Sequence, residues 1–310
     1  MTLPSDSGTS DIWLDWLTHG RHGNDAEAVR RVQMLVQGYA DRVIDGAGLK
    51  RGMTLLDLGA GDGLVAFRAI DRVGESLRVI LVDISAPLLA LAEQNAIARG
   101  IREQCTFLAS SAEQLNDLAD DSVDAVTARS SLAYVADKCA SLRECFRVLK
   151  PGGKLSIAEP VFRDNALAAA ALKKKLESGQ FDPNDWILPL WHRWQAAQYP
   201  DTLEGIQNSP ITNYTERDLL QLAQTVGFRE LQLELHIGVS NSYRKTWDAL
   251  LDSSPHPLAP SLRTVLRESF SAEERQRFER VVRPMAENGD LPETDRMAYL
   301  TALKPLNNRS

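Results

Sequence analysis

The chain is 310 residues long, 44% hydrophobic, and carries a formal net charge of −7 at pH 7 from 35 basic and 42 acidic residues. So long a chain can bury a large core and exceeds the usual size of one small domain; its basic residues form no stripe, which argues against nucleic acid as the main partner, because phosphate binding draws on clustered Lys and Arg. No stretch approaches the roughly 18 apolar residues of a membrane helix, and the polar residues 1–10 lack the basic and apolar regions of a signal peptide, so a soluble, cytoplasmic protein with no membrane partner is expected.

Residues 11–17 read as a short helix that buries Trp13 and Trp16, and residues 18–25 as a loop holding His19, Arg21 and His22. Asp25 suits the N-cap of a helix through about Val43, with Val29, Val32, Val36, Tyr39 and Val43 along one face. The apolar run 54–58 then meets Gly59, Gly61 and Gly63, after which Leu64, Phe67, Ile70 and Val73 recur at helical spacing. That pattern reads as strand, tight turn and helix. Alternating glycines allow positive φ and close approach of a ligand, and the helix beyond offers free N–H groups. Gly63 comes one position too early for the dinucleotide pattern Gly-x-Gly-x-x-Gly, and Asp57 suits a cationic ligand better than a pyrophosphate.

Further strands are expected over 77–82, 105–108, 123–128 and 154–158. One helix has Ser85 as cap and Gly100 as stop; another runs from about 136 to 149 with Cys139, Leu142, Phe146 and Leu149 inward. Residues 151–153 read as a turn. Cys105, Cys139 and Cys145 are expected to be buried free thiols, and the scattered histidines give no metal site. Strands alternating with helices mean a parallel sheet covered on both faces. Asp57, Asp83, Glu113, Arg129 and Glu159 then all fall at or just past strand carboxyl ends, on one edge of that sheet. Asp83 lies 20 residues after Gly63, the distance at which a carboxylate meets a ribose diol. A nucleoside-type ligand is expected there.

With these features the chain resembles the class I S-adenosylmethionine-dependent methyltransferases, over roughly residues 50 to 160 and most closely in residues 55–63, 83–85, 111–115 and 148–155. The resemblance implies an α/β, Rossmann-like sheet, mostly parallel with an antiparallel last strand, and S-adenosyl-L-methionine as cofactor, leaving S-adenosyl-L-homocysteine as product. It implies that Asp57 and the backbone of Gly59 and Gly61 face the methionine moiety. Asp83 would hold both ribose hydroxyls with Ile84 against the adenine, Ala112 (through its backbone) and Glu113 would read the adenine edge, and Arg129 would lie near the methionine end or the substrate. Arg21 is a further candidate, as a clamp whose fork matches a carboxylate.

The sheet should finish with a helix over 215–226 and strands over 230–237 and 297–303. The expected organisation is an N-terminal helical cover (1–48), the binding core (49–161), an aromatic-rich helical insertion (162–213), the core helix and strand six (214–240), a second helical insertion (241–294) and the last strand (295–310). The first insertion holds Trp186, Trp191, His192, Trp194 and Tyr199. Those rings either wall off water around an acceptor or pack the insertion as its own small core. The second, with amphipathic stretches 261–270 and 272–282, is either a lid or a homodimer interface. Where an acceptor proton must leave, His192, Glu159 and Tyr134 are the candidate bases, His192 because its ordinary pKa lies near neutrality. The expected activity is methyl transfer to a small-molecule acceptor. The alternatives are another reaction of the same cofactor and a non-catalytic, cofactor-binding scaffold.

Overall fold

The computed structural model describes residues 11–179, 181–182 and 184–306; what the sequence suggests for residues 1–10 and 307–310 lies outside the described residues. The strands are β1 (Thr54–Leu58), β2 (Arg78–Asp83), β3 (Cys105–Ala109), β4 (Val123–Arg129), β5 (Leu149–Pro160), β6 (Arg229–Asn241) and β7 (Pro292–Leu303). They form one sheet in the order β3-β2-β1-β4-β5-β7-β6. The first five run parallel, and β7 is antiparallel to both of its neighbours.

The central strands are apolar on both faces because helices cover both. On one face α2 (Ala26–Ala47), α3 (Leu64–Val73) and α4 (Ala86–Ala98) bring Val43, Ile44, Phe67, Ile70 and Leu89 onto Leu55, Val79 and Leu81. On the other, α5 (Lys138–Val148) and α9 (Glu216–Val226) bring Leu142, Cys145, Val148 and Leu219 onto Leu56, Val126 and Leu155. Asp25, Ser85 and Thr215 cap α2, α4 and α9 through side-chain oxygens, each cap contributing about 1 kcal/mol.

Several expectations shift in register. In α5 the inward positions are Lys138, Ser141, Leu142, Cys145 and Val148, so Cys139 is only half-buried, while Cys105 and Cys145 are buried free thiols. The turn at 151–153 sits inside a strand: Val123 pairs with Leu149 and Ala125 with Lys154, so the residues between bulge out, with Gly152 at φ +82° donating to the Lys304 carbonyl at 2.8 Å. Trp13 and Trp16 are half-buried, and the expected loop begins as a π-helical turn over Trp16–Gly20, just after α1 (Ile12–Asp15).

The β6–β7 hairpin is longer than its hydrophobic pattern suggested. Pairing of β7 with β5 ends at Met297 and Pro160, whereas pairing with β6 runs on to Pro292 and Asn241. The hairpin therefore overhangs the carboxyl edge of β5. It carries α10 (Trp247–Asp252), α11 (Leu262–Ser269) and α12 (Ala272–Asn288) beyond that edge. From the other insertion come α6 (Arg163–Glu177), α7 (Ile187–Gln198) and α8 (Leu203–Asn208). Trp186, Trp191 and Trp194 pack with Trp247, Leu266, Phe278 and Val282, so α7 and α10–α12 share a single core. The tryptophans thus hold the two insertions together.

Candidate functional site

The carboxyl ends of β1, β2 and β4 meet at the glycine turn. Gly59 and Ala60 donate to the Val82 carbonyl at 2.7 and 3.0 Å, which pins the turn across to β2. Gly59, Gly61 and Gly63 all have left-handed backbone, at φ +67°, +56° and +90°. Their surroundings differ. A methyl group added at Gly59 would lie 2.2 Å from Ser131 Cβ, and one at Gly63 2.3 Å from the Phe67 ring. At Gly61 it would meet nothing nearer than Leu17 Cδ2 at 3.9 Å. Of the three, Gly61 is the uncrowded one, in ordinary contact with the Leu17 side chain.

Asp83 closes the second side. It ends β2 with 8% exposure; Oδ2 accepts the Gly61 N–H at 2.8 Å and Oδ1 the Ser85 N–H at 2.9 Å. Burial raises its pKa above the ordinary carboxylate value, against the pull of those N–H groups. Ile84 beside it is 51% exposed, an apolar shelf at the mouth. Past β3, the Ala112 N–H has no acceptor among the described residues. Glu113 is turned toward α5: Oε1 accepts the Asp137 N–H at 2.6 Å.

Asp57 lies beneath the turn, 1% exposed. Its Oδ1 accepts from the Thr127 hydroxyl at 2.9 Å and its Oδ2 from the Ala66 N–H, in the first turn of α3, at 3.2 Å. Burial, only partly offset by those hydrogen bonds, pushes its pKa up to about 7. Thr127 was missed from the sequence. Its signal is that it pairs with Asp57 across β1 and β4 and is the one polar residue within 125–128.

Glu159, fully buried at the end of β5, organises the loop after β4. It accepts the N–H of Ser131 at 3.2 Å and of Ala133 at 2.9 Å. From the other side, buried Lys138 donates to the carbonyls of Val135 at 3.0 Å and Pro210 at 2.8 Å. Desolvation pushes Glu159 up to about 7 and Lys138 down to about 8. Between these two grips stands Tyr134, its ring edge-on to Trp13 at 5.1 Å and its phenol driven above the ordinary value by burial.

The N-terminal segment covers this edge. Asp11 accepts from the Ser85 hydroxyl at 2.9 Å, Trp13 meets Tyr134 and Leu17 lies nearest Gly61. Trp16 Nε1 donates to the Ser254 carbonyl at 3.1 Å and Ser254 N–H to the Gly20 carbonyl at 2.8 Å, so the second insertion clasps the cover. Arg21 stacks on Trp16 at 5.2 Å, and desolvation followed by repulsion from Arg129 lowers its pKa to about 10.

The site thus gathers Asp57, Gly59, Gly61, Asp83, Ile84, Arg129, Arg21, Tyr134 and Glu159. It does not gather His192, whose Nε2 is 3.1 Å from Asp201, itself held by Lys173 at 3.3 Å. A different histidine stands nearer. His256 is 1% exposed, with its ring 5.3 Å from Tyr199, which in turn acts on the Tyr134 phenol. Burial lowers His256 to about 4, and Nε2 donates to the Gln198 carbonyl at 2.9 Å while Nδ1 has no partner among the described residues. Nothing in its local sequence marks it, because its neighbours arrive from distant elements.

A family model described as a methyltransferase domain matches residues 49–211, just over half of the 310-residue chain. The ubiquinone/menaquinone biosynthesis C-methyltransferase UbiE of Serratia proteamaculans is 38% identical over 116 residues, 37% of this chain and 46% of that protein. The chain therefore spans a little under half the length of the curated relatives it matches. Among solved structures, the YcgJ protein of Bacillus subtilis superposes with a TM-score of 0.53 at 17% identity, covering 86% of this chain and 98% of that one. The [4+2]-cyclase SpnF does so with a TM-score of 0.52 at 20% identity, covering 95% and 93%. These likenesses establish the Rossmann-like fold.

Proposed function

The chain belongs to the methyltransferase-domain family, and on that premise we propose that it transfers a methyl group from S-adenosylmethionine to a small-molecule acceptor. The observation that carries the reading is the uncrowded face of Gly61, where an added methyl group would just touch Leu17, beside the Asp83 carboxylate: a cradle bounded by the glycine turn and one acidic side chain. Each Asp83 oxygen has a lone pair left after its backbone bond, which matches two vicinal ribose hydroxyls. Ile84 offers its apolar face to the adenine and the Ala112 N–H a donor to its edge, while Glu113 fixes the adjacent turn through Asp137. Gly59 and Gly61 line the methionine end. Asp57 acts from below, holding the turn and α3 and adding negative potential beneath a cationic ligand.

Bound there, the sulfonium would supply an activated methyl group for in-line displacement, a reaction in which alignment provides much of the rate. The protein's part is to align and to exclude water. In this reading Glu159 and Lys138 position Tyr134, whose raised pKa keeps it a hydrogen-bond donor, and His192 belongs to the packing of the first insertion. The cover and the insertions close the site from above.

A small acceptor in the cytoplasm, rather than nucleic acid, completes the reading, supported by the net charge of −7 and the absence of a basic stripe. Among the described residues no helix is long and apolar enough to cross a membrane. A homodimer through the insertions would have to use their outer faces, because Trp186, Trp191 and Trp194 pack inward. The test is incubation of the purified protein with methyl-labelled S-adenosylmethionine and a small-molecule extract. Label in a new small product, with S-adenosylhomocysteine accumulating, is expected. A product formed without label would contradict methyl transfer, and no turnover would favour a cofactor-binding scaffold.

A further inference from the structure

We propose that Arg129 is the anion-binding group of the acceptor site and that the methyl acceptor carries a carboxylate; this rests on the cofactor reading above. Among the described residues, the side chains of Arg129 and Arg21 make no ion pair and no hydrogen bond, yet neither is exposed. Every other described arginine either bonds a carboxylate or a carbonyl, as Arg68 does with Asp41 and Arg147 with Glu144, or lies exposed, as Arg30, Arg51, Arg244, Arg275 and Arg280 do. Two guanidinium groups held out of full solvent with no ion pair, close enough to repel one another and eased at longer range by Asp62 and Asp57, are costly in the unliganded protein. Anions bound between them would offset that cost.

The cofactor brings one such anion, its methionine carboxylate, and a single carboxylate is satisfied by one guanidinium fork. Arg21 is the arginine on that side. It belongs to the cover whose Leu17 lies over Gly61, and it also acts on Asp62 in the glycine turn. Arg129 is on the other side. The strand order β2-β1-β4-β5 puts it across β1 from Asp83, paired with Ala158 near the end of β5. From there the chain runs through Phe162 to the wall formed by Tyr199 and His256. The groups on which Arg129 acts include Arg21, Tyr134, Tyr39 and Asp57. Asp57 is the one carboxylate among them, and both its oxygens are already bonded to Thr127 and Ala66. Tyr39 donates to Asp295, so it adds no countercharge. The guanidinium of Arg129 is left for a ligand.

The experiment uses benzoate as probe and benzamide as its neutral counterpart, titrated by calorimetry into the full chain saturated with S-adenosylhomocysteine. Benzoate should bind the wild type at least about tenfold more tightly than benzamide, a charge-assisted preference that weakens with added salt. Arg129→Gln should abolish the preference, with the dissociation constant for S-adenosylhomocysteine moving less than about threefold, and Arg129→Lys should keep part of the preference. Arg21→Gln should instead weaken S-adenosylhomocysteine. Equal binding of benzoate and benzamide, or a preference that survives Arg129→Gln, overturns the proposal. Should S-adenosylhomocysteine fail to bind the wild type, the cofactor reading falls by itself, and the same pair of titrations on unliganded Arg21→Gln protein, with and without Arg129→Gln, still decides the anion site.

Discussion

Asp83 holds Gly61: its Oδ2 accepts the glycine N–H at 2.8 Å, across the gap between the ends of β2 and β1. The acidic residue and the glycine turn are therefore a single unit, and a ligand that touches one is placed against the other. Helix α3 starts just beyond, at Leu64.

The glycines divide the labour between folding and binding. Gly61→Ala puts its methyl group into ordinary contact with Leu17 at 3.9 Å, without a clash, so its structural cost is the left-handed backbone alone, roughly 1–2 kcal/mol. Gly59→Ala carries that strain and a collision with Ser131. Thermal denaturation is expected to show a much larger drop in Tm for Gly59→Ala. Calorimetry is expected to show Gly61→Ala folded but at least about tenfold weaker for S-adenosylhomocysteine, since the added methyl occupies the ligand's path. Equal destabilisation of the two variants would contradict this assignment.

Glu159 makes stability depend on pH. Its pKa is raised in the folded protein from 4.5 to about 7, so the folded state binds the extra proton in that window and stability is lost as pH rises through it. The loss is on the order of 3 kcal/mol. Glu159→Gln has no such proton. Denaturant unfolding at pH 5 and pH 8 should therefore show the wild type losing more of its stability relative to the variant at the higher pH. A difference between the two proteins that stays constant with pH would rule out a buried, titrating Glu159.

The clasp between cover and second insertion is testable through Trp16. Trp16→Phe keeps an aromatic ring under Arg21 but removes the Nε1 donor to the Ser254 carbonyl, worth about 1 kcal/mol. Hydrogen exchange is expected to speed up in residues 12–24 while the strands stay protected. Unchanged exchange there would mean that the cover is held by other contacts.

Much of the sheet and its edge was legible in the sequence because both depend on local pattern. Apolar runs of strand length ended in Asp57, Asp83, Arg129 and Glu159, and parallel strands bring all such ends to one side. What stayed hidden depends on contacts between distant segments. Glu159 reads from the sequence as a strand-end candidate base, but the loop over 131–133 returns to place two N–H groups on it. His192 lay among tryptophans just as expected, yet α7 turns those rings to α12 and the histidine to Asp201. The length of the β6–β7 hairpin was also hidden, since its outer half is exposed, with Ile237 and Val239 open to solvent, and shows no clean alternation.

The central claim is that the edge between β1 and β2 binds S-adenosylmethionine. Its most direct test is calorimetric titration of S-adenosylmethionine and S-adenosylhomocysteine into the wild type and Asp83→Ala. The account predicts micromolar binding of both to the wild type and a loss of about tenfold or more in the variant, as two charge-assisted hydrogen bonds go. No binding to the wild type, or equal binding to both proteins, would contradict it.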